Sequence, residues 1–143
     1  MIKICFPHDK QFEEYYELRW RVLRKPWAQP RGSEKDEMEN KSIHIMACNE
    51  NKIVGVARLH FNSSKEAQIR YMAVDEGYRK QGIGSMMLKR LEEIAREKGA
   101  SYIILNAREN AVSFYEKNGY EIIEKSYVLF GEILHYKMKK ILE

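Results

Sequence analysis

Cysteine, proline and long apolar segments are all scarce in this chain of 143 residues, which contains two cysteines and three prolines. Cys5 and Cys48 match no zinc-ligand spacing, and we expect both to be inert core thiols. No apolar segment approaches the length of a membrane-spanning helix. The segment Met1–Phe6 is too short and too soon charged for a signal peptide. We therefore expect a cytoplasmic protein with no metal site and no membrane partner.

The charge balance is close to even. The chain has 25 Lys and Arg against 21 Asp and Glu, which gives a net charge of +4. Because charges of both signs are interspersed, this excess is a weak indication of nucleic-acid binding, and we expect no nucleic-acid partner. No repeat, low-complexity tract or linker divides the sequence. Residues 1–143 are expected to form a single domain, with a homodimer left open.

The most informative segment is Arg79-Lys80-Gln81-Gly82-Ile83-Gly84. It follows a strand-like run, Gln68–Val74, and opens an amphipathic helix. Glycine allows close backbone approach and positive φ, and the free amides at a helix N-terminus attract anions. The segment therefore predicts a diphosphate cradle. The alternative is a glycine-containing surface turn before an ordinary helix.

Spacing excludes two common phosphate motifs. Gly77 and Gly82 have the gap of a Walker loop, but Ile83 stands where that loop needs lysine. Gly82 and Gly84 fit a dinucleotide fingerprint, but Met87 stands where the third glycine belongs. What remains is Arg-x-x-Gly-x-Gly after a strand.

The residues that follow predict a βαβ unit. Apolar residues recur at helical spacing from Ile83 to Ala95, and a short apolar run, Tyr102–Leu105, reads as a buried strand. The loop then lies at the carboxyl end of the first strand, where open α/β sheets bind ligands. A second block, Ala111–Tyr120, reads as a short helix that places Tyr115 near the same end of the sheet.

Together the two blocks resemble the GNAT superfamily of N-acetyltransferases over most of residues 43–130. The resemblance implies an α/β (α+β) fold with a mixed, mostly antiparallel sheet of six or seven strands. Its central strands splay apart, about four helices flank it, and CoA enters the gap. It also implies an acyltransferase that uses acetyl-CoA as co-substrate and acetylates a primary amine by direct attack. The acceptor would be a small-molecule amine or an amine of a protein or peptide. A non-catalytic acyl-CoA-binding module of the same fold is the alternative.

The resemblance also implies roles for individual residues. Tyr115 would protonate the leaving thiolate as general acid. The family commonly has an asparagine that bonds to the pantetheine arm where this chain has Arg108. That arginine either meets a CoA phosphate or is solvated, and we favour the solvated side chain. The residues expected to contact the cofactor are Met72, Ala73, Val74, Arg79, Lys80, Gln81, Gly82, Ile83, Gly84, Ser85, Asn106, Asn110 and Tyr115.

The general base and the acceptor site are less defined. Glu66 and His60 are tentative bases, because they lie on or beside the predicted central strands. Asp75, and Gln68 acting through a bound water, are further candidates that the sequence leaves open. The first helix and residues 31–40 are expected to shape the acceptor site. An acidic cluster there either attracts a cationic amine or belongs to a solvated loop. Its members are Glu34, Asp36, Glu37 and Glu39.

Overall fold

The structure is a computed structural model that describes residues 1–143. It contains seven strands and three α-helices. The strands are β1 (Ile2–Cys5), β2 (Ile43–Asn49), β3 (Lys52–Phe61), β4 (Glu66–Val74), β5 (Tyr102–Arg108), β6 (Glu121–Leu129) and β7 (Ile133–Ile141). The helices are α1 (Phe12–Leu23), α2 (Ile83–Glu97) and α3 (Val112–Lys117). None of the helices is long and apolar enough to span a membrane.

All seven strands belong to one sheet, in the order β1-β2-β3-β4-β5-β7-β6. Only β4 and β5 are parallel neighbours, as the predicted βαβ unit requires, and every other pair is antiparallel. This confirms the predicted fold class, with three α-helices where about four were expected. Short 3₁₀ turns, among them Asp9–Gln11 and Glu39–Lys41, occupy part of the remaining chain.

The helices cover both faces of the sheet. Tyr15 and Leu18 of α1 pack in one apolar cluster, and Met87 and Leu91 of α2 pack in another, with all four side chains at most 2% exposed. The spacing of Met87 and Leu91 places them on one side of α2, as the sequence predicts. Burial of each such side chain stabilises the fold by about 1.5–3 kcal/mol. The site described below lies between these two layers.

The two central strands separate after a few residues. β4 pairs with β5 only where Glu66–Gln68 meets Tyr102–Ile104. On its other edge, β4 has a bulge at Tyr71, whose φ is +58°, because the register against β3 shifts there. A bulge bends its strand and turns side chains away from the regular ladder. The result is a wedge-shaped gap in the middle of the sheet, as predicted.

One side chain of β7 is buried although the strand pattern predicts that it is exposed. The alternation of Leu134, Tyr136 and Met138 predicts that His135 is exposed. In the structure His135 is 4% exposed. It pairs with Arg108 beside the gap and is covered by Tyr127, whose ring stacks on it at 4.4 Å. Tertiary packing therefore covers the face of β7 that the sequence predicts to be exposed at this point.

Candidate active site

The gap between β4 and β5 forms a cleft of about 330 Å³. Tyr115 contributes from the α2 side of the sheet and Leu23 from the α1 side, so the cleft passes between the two helical layers. The residues around it include Leu23, Arg24, Gln68, Arg70, Tyr71, Met72, Asn106, Arg108, Tyr115, Tyr127 and His135. Asn110 is exposed and lies outside this lining.

The glycine loop leads into α2 with its amides free. Gly82 caps the helix in the left-handed region at φ +76°, and the amide of Met86 makes the first bond of the helix, to the Gly82 carbonyl at 3.0 Å. The backbone N–H groups of residues 81–85 donate to no acceptor in the protein. The side chains of Arg79 and Lys80 are exposed beside them. This geometry is that of an anion site, although the role of each residue stays a prediction.

The two glycines of this loop are needed for different reasons. A Cβ atom at Gly82 would meet nothing within 4 Å, so its left-handed φ alone favours glycine. A Cβ atom at Gly84 would lie 2.9 Å from Cζ of Phe114. Gly84 therefore allows α3 to approach the start of α2. This contact places Tyr115, the residue after Phe114, beside the loop.

Tyr115 directs its hydroxyl group into the cleft. The oxygen lies 3.8 Å from Sδ of Met72, on the edge of β4 that β5 leaves unpaired. Burial raises the pKa of Tyr115 to about 12, although the charge of Arg108 opposes the shift. The phenol is therefore protonated at pH 7 and can donate a proton.

The two tentative bases lie outside the cleft lining. Glu66 is at the paired end of β4, where it accepts hydrogen bonds from Asn62 at 2.7 Å and Tyr102 at 2.8 Å. Those bonds lower its pKa. The ring nitrogens of His60 lie 3.1 Å from Nη2 of Arg58 and 3.2 Å from Oδ1 of Asn62. Since the guanidinium must donate, His60 has no free lone pair. The structure does not bring either residue together with Tyr115.

His135 is a titratable residue of the cleft that the sequence did not reveal. Its Nδ1 lies 2.9 Å from the carbonyl oxygen of Ile133, so Nδ1 carries the proton and Nε2 is left as an acceptor without a protein partner. Burial lowers the pKa of His135 from its ordinary 6.5, and the charge of Arg108 lowers it further. The imidazole is therefore neutral at pH 7.

The sequence did not indicate Arg24 as a residue of the cleft, and it predicted the wrong surroundings for Arg108. Arg108 donates from Nη2 to the carbonyl oxygen of Leu23 at 2.9 Å, and Arg24 donates to the same oxygen at 3.1 Å. Burial lowers the pKa of both. Arg108 is half-buried, so the preferred expectation of a solvated side chain is wrong. Nothing in the local sequence links Arg108 to a helix end 85 residues away.

The acidic cluster is neither a solvated loop nor an attractor for amines. Asp36 accepts bonds from Arg58 at 2.6 Å and Arg70 at 2.8 Å. Glu39 accepts from Arg19 at 3.0 Å and Arg58 at 2.8 Å. Both expectations fail because buried arginines of α1 and the sheet already neutralise these carboxylates. Glu34 is also buried, and Glu37 alone in the cluster is exposed.

Comparisons with known proteins agree with this architecture. The family model described as "Acetyltransferase (GNAT) family" matches residues 12–120. An uncharacterized N-acetyltransferase of Bacillus subtilis, YjcF, is 33% identical over 140 residues, which cover 98% of this chain and 99% of that protein.

Two solved structures share the fold across the whole chain. An acetyltransferase of the GNAT family from Staphylococcus aureus Mu50 has a TM-score of 0.84 at 22% identity and covers 100% of both chains. An aminoglycoside 6'-N-acetyltransferase complexed with coenzyme A has a TM-score of 0.83 at 17% identity, covering 99% of this chain and 97% of that one. The family match and the relative of nearly equal length confirm the predicted family and enzyme class. The chain is an acetyltransferase that belongs to the GNAT family.

Proposed function

We propose that this protein transfers an acetyl group from acetyl-CoA to a primary amine by direct attack within a ternary complex. One observation carries the proposal: the contact of Gly84 with Phe114 joins the free amides at residues 81–85 to Tyr115 in the cleft. A diphosphate at the loop and a thioester beside Tyr115 are then two ends of one extended ligand.

The cofactor would lie along the free edge of β4. The amides of residues 81–85 would bind the diphosphate, with Arg79 and Lys80 adding positive charge. The pantetheine amides would pair with backbone groups of Met72 and Val74, as an added strand does. Asn106, in the cleft lining, supplies a further polar group, whereas the exposed position of Asn110 does not favour its predicted contact.

The reaction then needs an oxyanion donor and an acid. As the amine nitrogen bonds to the thioester carbon, negative charge develops on the carbonyl oxygen. A backbone N–H at Met72 or Ala73 would stabilise it, since fixed donors at developing charge are effective catalysts. When the carbon–sulfur bond breaks, Tyr115 would give its proton to the thiolate. No covalent enzyme intermediate is required, so Cys5 and Cys48 have no role in the step.

The amine must lose a proton to attack. Neutralising a lysine-like amine at pH 7 costs about 4–5 kcal/mol. We propose that Nε2 of His135 accepts the proton, because it is the unpartnered imidazole nitrogen of the cleft, whereas His60 and Glu66 lie outside. The imidazole can pass the proton to bulk water and return to its neutral state.

Localisation in the cytoplasm stays a prediction from the sequence.

The proposal is tested by two measurements on the same protein. Thiol release from acetyl-CoA is followed with a panel of primary amines and without amine, and CoA binding is measured by calorimetry. Amine-dependent release together with formation of the amide product supports acetyl transfer. Tight CoA binding with no release for any amine supports a non-catalytic acyl-CoA-binding module instead.

A further inference from the structure

Arg24 and Arg108 converge on one oxygen atom. Both guanidinium groups donate to the carbonyl of Leu23, at 3.1 and 2.9 Å, although two like charges repel at this distance. Neither group forms an ion pair with a carboxylate. The cleft into which they extend is lined by no Asp or Glu side chain. The protein therefore holds two close positive charges without supplying a counter-ion.

The other deeply buried arginines are treated differently. Arg19 and Arg58 are fully buried, and both are neutralised by Glu39, with Asp36 also bonded to Arg58. Arg24 is itself only 6% exposed, bonds to neutral carbonyl groups and lies over the rings of Tyr71 and Phe130, with no carboxylate beside it. A buried cation is costly unless it is paired. Arg24 and Arg108 differ from Arg19 and Arg58 because no carboxylate neutralises them, and this difference needs a physical explanation.

Both residues also have unused hydrogen-bond donors. Nε and Nη1 of Arg108 have no hydrogen-bond partner in the protein, and Nη2 of Arg24 bonds to no carbonyl or carboxylate group, although the Tyr71 side chain lies beside this guanidinium. These two side chains line the cleft on the side of α1, while Tyr115 enters from the side of α3. A ligand that reaches past Tyr115 therefore meets free guanidinium donors of the kind that bind carboxylates and phosphates.

We infer that the acceptor is a small amine that also carries an anionic group, a carboxylate in its simplest form, and that Arg24 and Arg108 bind this group. The inference rests on the proposed function, because it places the amine between the anion and the thioester. The cleft of about 330 Å³ must also hold the thioester beside Tyr115, so the acceptor has to be compact. The same charges disfavour an ammonium ion nearby, so they would help the amine to lose its proton.

The experiment compares amines in pairs that differ in their anionic group, with kcat/KM expressed per unprotonated amine so that differences in amine pKa are removed. Thiol release from acetyl-CoA is measured with glycine, β-alanine and 4-aminobutyrate, each against its primary amide, and with phosphoethanolamine against ethanolamine. We expect kcat/KM to favour at least one anionic member over its neutral partner by about ten-fold or more. Preference for a phosphate over every carboxylate would identify the anion as a phosphate. Equal or faster turnover of all the neutral partners would overturn the inference.

Variants then assign the preference to the two arginines. Arg24→Gln and Arg108→Gln are each expected to reduce the acid-to-amide ratio about ten-fold, and Arg108→Lys to restore part of it. Arg70→Gln is the matched control, because Arg70 also lines the cleft but is paired with Asp36. Its ratio should be unchanged. A preference that survives both Gln variants, with thermal melting showing folded protein, would contradict the assignment.

Two further measurements distinguish a failure of this inference from a failure of the proposed function. If wild-type protein releases thiol faster from succinyl-CoA than from acetyl-CoA with neutral amines, and the Gln variants lose that preference, the anion belongs to the acyl group and the inference fails. If no amine supports turnover, calorimetry with CoA-loaded protein compares the acids with their amides. Acid-selective binding that the Gln variants lose would keep the anion site while the proposed reaction fails. Absence of such binding would overturn both.

Discussion

Gly84 and Phe114 pack so closely that a Cβ atom at Gly84 would lie 2.9 Å from Cζ of the phenylalanine ring. Real Cβ atoms essentially never come this near another heavy atom. The contact joins the glycine loop to the Phe-Tyr block in the folded protein. Phe114 of α3 packs against the first turn of α2, and this contact places Tyr115, the next residue, relative to the loop.

Substitution of Gly84 by alanine should therefore destabilise the protein. Alanine in a helix normally adds about 0.5–1 kcal/mol of stability relative to glycine, whereas overpacking costs about 1–3 kcal/mol. We expect the clash to dominate, with a lower free energy of unfolding in urea. Phe114→Leu should relieve it in the double variant, giving a coupling energy of at least about 0.5 kcal/mol. Additive effects of the two changes would show that the contact is not tight.

The free amides at the loop give a prediction for cofactor binding. Gly82→Glu places a negative charge and a side chain at the proposed diphosphate site, and we expect CoA affinity measured by calorimetry to fall more than ten-fold, roughly 1.4 kcal/mol or more. Gly131→Glu is a matched control. Its φ of +70° resembles the +76° of Gly82, and neither glycine has a neighbour within 4 Å of an added Cβ. Equal affinities for the two variants would exclude the loop as the diphosphate site.

Tyr115→Phe removes one hydroxyl group and leaves the ring in place. If the phenol protonates the leaving thiolate, kcat should fall by about 10²-fold while the Kd for CoA changes little. The hydroxyl's 3.8 Å contact with a thioether is a weak one, so its loss should hardly affect stability. Turnover at the wild-type rate would assign the proton to water or to another residue.

His135→Gln tests the proposed proton acceptor through pH. Burial and the neighbouring arginines lower the pKa of His135 below 6.5. Its imidazole is therefore neutral and active at pH 7, and protonation of His135 should reduce wild-type kcat/KM only as the pH drops through this lower pKa. The variant should lose about 10²-fold in kcat/KM at pH 7 and also lose that acid limb. If the variant keeps the acid limb of the wild-type profile, a group other than His135 titrates in that range.

The sequence predicts those parts of the site that depend on neighbouring residues. The glycine loop, the amphipathic helix α2 and the position of Tyr115 follow from local spacing, and the structure has them where expected. His135 could not be assigned in the same way, because strand alternation predicts an exposed side chain and the ring of Tyr127, which stacks on it, lies on another strand. The pairing of Arg108 with the end of α1 is a contact across 85 residues, which no local pattern encodes.

The acidic cluster is a second case in which contacts between distant residues could not be predicted from the local sequence. Asp36 and Glu39 stand in a polar segment that reads as a surface loop, and nothing local indicates that Arg58 of β3 reaches them. These two carboxylates cannot bind a ligand, because a carboxylate that neutralises a buried arginine is unavailable to other partners. Asp36 and Glu39 are therefore not available to attract a cationic acceptor, which was one of the two interpretations of this segment. The structure leaves cations, rather than carboxylates, open to the cleft.

The pairing of Asp36 with Arg58 should also govern stability in acid. Burial alone would raise the pKa of Asp36, but hydrogen bonds from Arg58 and the Met38 amide, with the charge of Arg70, outweigh it and lower the pKa from 3.8 to about 2. A carboxylate with a depressed folded-state pKa stabilises the protein above its unfolded pKa, and this stabilisation is lost as the pH falls from about 4 to about 2.

Asp36→Asn removes this titration. The variant should be less stable than wild type by about 2 kcal/mol at pH 7, and the difference should shrink as the pH falls below about 4. Urea unfolding at a series of pH values measures both quantities. Glu37→Gln, at an exposed neighbouring position, is the control and should follow the wild-type curve. A stability difference that stays constant from pH 7 to pH 2 would mean that Asp36 acts through packing rather than through its charge.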